Sequence, residues 1–298
     1  MSAELERVAN RAATWSETAS RLKSRLDFVR WIVFVLSISG ALAAAIASQI
    51  PLVNMHAVLT ALGTVFLAAA TFASNRLLRD SEVQAWFRAR AASEALKREA
   101  FRYATQAHPY DSGNTDQTLK SERERIEKNL DDLIEREIAA KREGSAPRAM
   151  LTPQQYRDRR LSGEVKEFFR PRALAYRKIA ARLKWLEFAL ALAATIITAL
   201  AGVIDKSHFP VADVHFDVAA LTAVLTTISG SILAHVEASR YQHLITSYLA
   251  TARRLEDEDA NFESAKGDAK SWSDFVNKCE DIIAAENNSW VAKWTRSD

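Results

Sequence analysis

Apolar and charged residues are segregated into long blocks along this chain. Residues 28–50 and 57–74 form two apolar runs, separated by a short uncharged break that holds Pro51, Asn54 and His56. Residues 188–204 and 218–236 repeat the arrangement around a loop at 205–217. A helix rises about 1.5 Å per residue, so roughly 20 residues cross a hydrocarbon core of about 30 Å. Each pair of runs predicts a helical hairpin across a bilayer, where the backbone has to satisfy its own hydrogen bonds. Helices buried in a soluble core rarely stay uncharged over such lengths. A cleavable leader is disfavoured as well: residues 43–47 offer small residues that resemble a cleavage site, but Glu4, Glu6, Glu17 and Asp27 lie among the bases that precede them.

Around the spans the period changes to charged helices with one apolar stripe each. Residues 2–27 read as an amphipathic helix carrying Trp15, Leu22 and Leu26. After the first hairpin a charged helix runs through Val83, Trp86, Phe87, Leu96 and Phe101 to about residue 107, ended by Pro109 and the cluster at 111–114. Residues 117–143 predict a further helix, with Leu119, Ile126, Leu130, Leu133, Ile134 and Ile138 at three- and four-residue steps that suit helix packing or a short coiled coil. Residues 144–152 read as a linker between a first hairpin unit, 1–143, and a second, 153–298. Thr152 and Pro153 fit an N-cap followed by proline at the first helical position. Charged helices over 237–262 and 271–294 close the chain. The expected class is all-α and integral to the membrane: four transmembrane helices in two tandem hairpins with long cytoplasmic helical extensions.

The two halves match at a nearly constant offset. Arg11, Trp15, Arg21, Leu22 and Lys23 correspond to Arg172, Tyr176, Arg182, Leu183 and Lys184, and Leu59, Thr60 and Thr64 correspond to Leu221, Thr222 and Thr226. Charged flanks match as well as spans, which points to duplication of a leading helix, hairpin and trailing helix. Bases crowd the flanks at 21–30, 76–79, 170–184 and 240, while the tips lack an excess of them. The positive-inside rule places both termini and the long helices in the cytoplasm.

Net charge is only +3, too little to imply nucleic-acid binding. Cys279 stands alone, so there is no disulfide framework. Phosphate-cradling glycine loops, nucleophile elbows and HExxH helices are missing, which argues against an enzyme; no catalytic, cofactor or metal residue is assigned. His208, His215, Asp205, Asp213 and Asp217 share the second tip at spacings that match no tight metal motif.

Thr60, Thr64 and Thr71 fall on one face of the second span, and Thr222, Thr226 and Ser229 repeat that face in the fourth. Such faces either line a wet path or let helices pack closely and bond back to the backbone. Glu237 is a candidate for a cytoplasmic mouth, or a partner for Arg240 or Tyr241. Arg21, Lys23, Arg30 and Trp31, with Arg182, Lys184 and Trp185, are expected to anchor the spans at the headgroups. Lys23 with Asp27 and Lys184 with Glu187 are expected as helix-surface pairs. No charge sits mid-span, which counts against an ion-coupled transporter.

Tyr156, Arg160, Phe168, Phe169 and Arg172 ahead of a two-span hairpin, and Trp86, Glu94, Arg102, Tyr103, Pro109 and Tyr110 behind the other, resemble the bacterial DUF4231/SLATT group of two-span domains. Phe168 and Phe169 stand where that group leads one to expect a Trp-Tyr-like pair, and two hairpins share one chain. The resemblance implies a bacterial inner membrane, a homo-oligomeric pore-forming effector, and a cytoplasmic protein or nucleotide-signal partner. The competing expectation is a non-conducting scaffold or sensor that recruits a cytoplasmic partner.

Overall fold

The computed structural model describes residues 2–49, 53–203, 218–265 and 269–294, and among these every regular element is helical. Helix α1 (Ala3–Gln49) fuses the expected amphipathic helix and the first span into one element, followed by α2 (Val53–Leu77), α3 (Asp80–Ala104) and α4 (Thr115–Lys128). The second half winds from α5 (Pro153–Tyr156) through two π-helical stretches, Arg157–Ser162 and Glu164–Phe169, into α6 (Arg170–Val203). Helices α7 (Val218–Ala238), α8 (Tyr241–Ala265) and α9 (Ala269–Trp294) complete the described chain. Four helices are long and apolar enough to cross a membrane, so this is an all-α, multi-pass membrane protein. In each half a leading helix runs unbroken into its span, and a break follows the second span, at residues 78–79 and 239–240. Arg240 takes the left-handed conformation at the second break, with φ of 48°.

Contacts divide the chain into two compact units, each assembled from both halves of the sequence. One gathers Met1–Arg25, Asp80–Leu174 and Leu244–Asp298; the other gathers Leu26–Arg79 and Ala175–His243.

In the first unit α3 packs against α9 and α4. Trp15, Leu96, Leu119, Tyr156, Tyr248 and Leu255 are fully buried there, and the Phe262 and Phe275 rings stack at 4.3 Å. Thr152 caps the α5 start as expected: its hydroxyl accepts from the Gln155 N–H, while the Gln155 side chain accepts from the Thr152 N–H.

The helix expected over 117–143 is shorter. It ends at Lys128, and Asp131–Arg136 form a 3-10 turn. Tertiary bonds outcompete its periodicity. Arg88 donates to the Asn129 carbonyl and to both Asp132 oxygens, closing the helix end. Leu130 and Leu133 turn into the core, leaving Ile134 57% exposed. Beyond the turn, Glu137 accepts from Arg11 of α1, and the Ile138 N–H donates to Thr18 Oγ1. Within the segment at 144–152 Ala146 is buried, and a Cβ on Gly144 would lie 3.1 Å from Ala13 Cβ, while Met150 is half exposed.

In the second unit α1 and α2 cross at two glycines. A Cβ on Gly63 would lie 3.1 Å from the Gly40 carbonyl oxygen, and one on Gly40 would lie 2.8 Å from Leu67 Cγ. Helix dimers in lipid use such small residues to bring backbones together. Rings of Phe34 and His235, 5.0 Å apart, connect the first hairpin to α7. Phe28, Trp31, Val65, Phe72, Trp185 and Phe188 are all more than half exposed, an apolar exterior that suits lipid and not water. The second tip, with His208, His215, Asp205, Asp213 and Asp217, lies outside the described residues.

Candidate functional site

Tyr156 and Arg160, ahead of α6, converge on one carboxylate of α9. Arg160 is 1% exposed and grips Glu280, itself fully buried, through Nε at 2.9 Å and Nη2 at 2.8 Å. Its Nη1 donates to Glu164 at 3.0 Å, and the Tyr156 hydroxyl donates to Glu280 at 3.1 Å. The Arg160 guanidinium also lies 4.6 Å from the centre of the Phe101 ring of α3. About two turns on, Phe168 and Phe169 each meet the Tyr248 ring at 5.7 Å, and Arg172 lies over Phe168 at 4.6 Å. The π-helical winding over 157–169 belongs to this site, since π turns collect where side chains must be re-aimed.

Burial raises the cost of every charge here, so the charges are held in a connected set. Burial opposes the positive charge on Arg160, but Glu280 overrides it and raises the guanidinium pKa further. Glu94 would be raised by burial, yet Lys97, Arg160 and Arg90 hold it down at about 2. Burial wins at Glu164, whose pKa is raised, and at Tyr156, whose hydroxyl stays protonated beside Glu280. A cleft of about 310 Å³ opens beside the pair. Its rim guanidiniums are engaged, Arg88 with Asp132 and Arg125 with Glu122. Among the described residues no metal-holding group of His, Cys and acids forms, and burial raises the pKa of the Cys279 thiol. The arrangement is built to lock three helices together.

The hydroxyl faces are placed differently from one another. Thr60, Thr64, Thr71 and Thr226 are exposed, and Thr64, Thr71 and Thr226 each donate to the carbonyl four residues earlier. Thr222 accepts from Thr198 of α6 at 3.3 Å. Ser229 is buried and donates to the Glu187 carboxylate at 3.2 Å, tying α7 to α6.

At the span ends Trp31 and Trp185 are exposed, with Arg21, Arg182 and Lys184. The expected Lys23–Asp27 pair is replaced. Asp27 accepts from Arg30, while Lys23 lies 5.9 Å from the Trp86 ring. Glu187 likewise takes Ser229 as its partner where Lys184 was expected. Glu237 is exposed, and its carbonyl accepts from the Arg240 N–H.

Two features escaped the sequence reading. Glu280 sits in the apolar phase of α9 with Val276, Cys279 and Ile283, and an acid at such a position calls for a buried base. Gly40 and Gly63 interrupt apolar runs, which in a membrane helix marks a close crossing.

Comparison with known families then separates the two halves. Residues 156–290 match a family model described as the SMODS and SLOG-associating 2TM effector domain 1. Residues 13–118 match one described as a protein of unknown function, DUF4231. The chain carries two distinct domains in tandem, in agreement with the resemblance drawn above, and its second half is similar to a membrane effector domain. No curated protein and no solved structure gives a match.

Proposed function

We propose, from a chain that joins a DUF4231-like hairpin to a SLATT-like one, that it is a non-enzymatic, homo-oligomeric effector of a bacterial inner membrane. Copies assemble around a conduction path lined by Thr60 and Thr64 of α2 and by Thr226 of α7. The first compact unit, termini included, lies in the cytoplasm, where a protein or nucleotide-derived signal acts on the bundle to gate the path, with Glu237 toward its mouth. The observation that carries this reading is the exposure of Thr60, Thr64 and Thr226 on spans whose exterior is largely apolar. Polar groups inside a membrane face protein or a water-filled path.

A second reading, a non-conducting scaffold or sensor, is favoured by a specific observation: Thr64 and Thr226 satisfy their hydroxyls on their own helices and require no water. Single-channel recording in planar bilayers separates the two. Discrete conductance from the purified protein, abolished in the Thr64→Leu/Thr226→Leu double variant, is the outcome expected of the pore. Silence from a protein that is also monomeric in native-lipid particles selects the scaffold.

A further inference from the structure

The C-terminal end of α2 carries a shallow, open groove of about 550 Å³ lined by Ala68, Thr71, Phe72, Asn75, Arg76 and Arg79. Its floor is apolar, and Phe72 is 67% exposed beside it. At its head stand two guanidiniums three residues apart, just past the point where the apolar run ends at residue 74. Neither guanidinium takes part in an ion pair among the described residues, whereas Arg30, at the end of the first span, is already held by Asp27. Asn75 adds a neutral donor beside them.

We propose that this groove is a binding site for one anionic glycerophospholipid, whose phosphate is held by Arg76 and Arg79 while an acyl chain lies along Ala68, Thr71 and Phe72. The charge pattern selects this occupant. Two guanidiniums without an ion-pair partner among the described residues match a phosphodiester through paired N–H donors, and the open apolar face one to two turns before them offers a surface for a tethered chain. A second copy of the α2 face carries the same two charges and would bring like against like. The site extends beyond the conduction reading. It occupies the end of α2 where Thr71 lies and leaves Thr60 and Thr64 to any wet path.

The test is native mass spectrometry of the full-length, delipidated protein titrated with dioleoylphosphatidylglycerol, and separately with dioleoylphosphatidylcholine. Wild type is expected to retain one phosphatidylglycerol per chain in preference to phosphatidylcholine. At about 1 kcal/mol per basic residue, the Arg76→Gln/Arg79→Gln variant should bind it about 30-fold more weakly. Arg182→Gln/Lys184→Gln, a basic pair on α6 that does not line this groove, should leave that first adduct intact. Equal retention of both lipids, or equal loss in both double variants, would overturn the proposal by reducing it to general surface attraction. Both readouts are independent of conductance, so a silent channel with a bound lipid, or the reverse, remains interpretable.

Discussion

A fully buried carboxylate survives in α9 because Arg160 and Tyr156 supply three donors to Glu280. The net worth of such a pair is small, but removing one partner strands the other. Glu280→Ala should therefore cost about 3–5 kcal/mol, and the Arg160→Met/Glu280→Leu double change much less. Thermal melts of the detergent-solubilised protein read both. A single variant that melts with wild type would refute the lock. Arg160 stood out in the sequence through the motif that carries the family resemblance. Glu280 was legible only as an acid in an apolar phase, and nothing in a helical period says which base, 120 residues away, it meets.

At the scale of elements, the four spans were legible because uncharged length is the one thing a bilayer demands. Where several partners compete for a segment, periodicity misled. Leu130, Leu133 and Ile134 continue the stripe of α4, yet Arg88 and Arg11 pull the chain off the helical path at Lys128 and hold it extended past Glu137. The first hairpin depends instead on what is missing, a side chain at Gly40 and at Gly63. Gly63→Leu should separate α1 from α2 at a cost of about 1–3 kcal/mol, since the atom it meets is backbone oxygen. A cysteine pair placed near the crossing reports the result: oxidative cross-linking should fall relative to the glycine parent, and an unchanged yield would show that the helices meet elsewhere.

For the molecule as a whole, compactness follows position along the helices and not order in the sequence. Segments from both halves build each unit, and the stretch at 144–152, which composition marks as a linker, packs against α1 through Gly144. Turn residues declare a place where the chain bends, but they do not say whether the bend is free or held. The hydroxyl faces show the same limit. Their spacing predicts a shared side of a helix, while their partners, Glu187 for Ser229 and Thr198 for Thr222, depend on a neighbouring helix.

The contrast between unbroken leading helices and interrupted trailing ones carries a consequence for angular phase. One residue added to a helix turns everything after it by about 100° relative to everything before. In α1 the buried positions Val8 and Ala12 precede Trp15 and Ala19 on one continuous winding within the first unit. An alanine inserted between Ala12 and Ala13 should therefore swing one pair away from its partners, and the yield of monodisperse protein by size-exclusion chromatography should collapse. The same insertion between Leu78 and Arg79 meets no helix to rewind and should leave that yield near wild type. The chain thus has stretches that transmit rotation and stretches that discard it, and each hairpin has one of each.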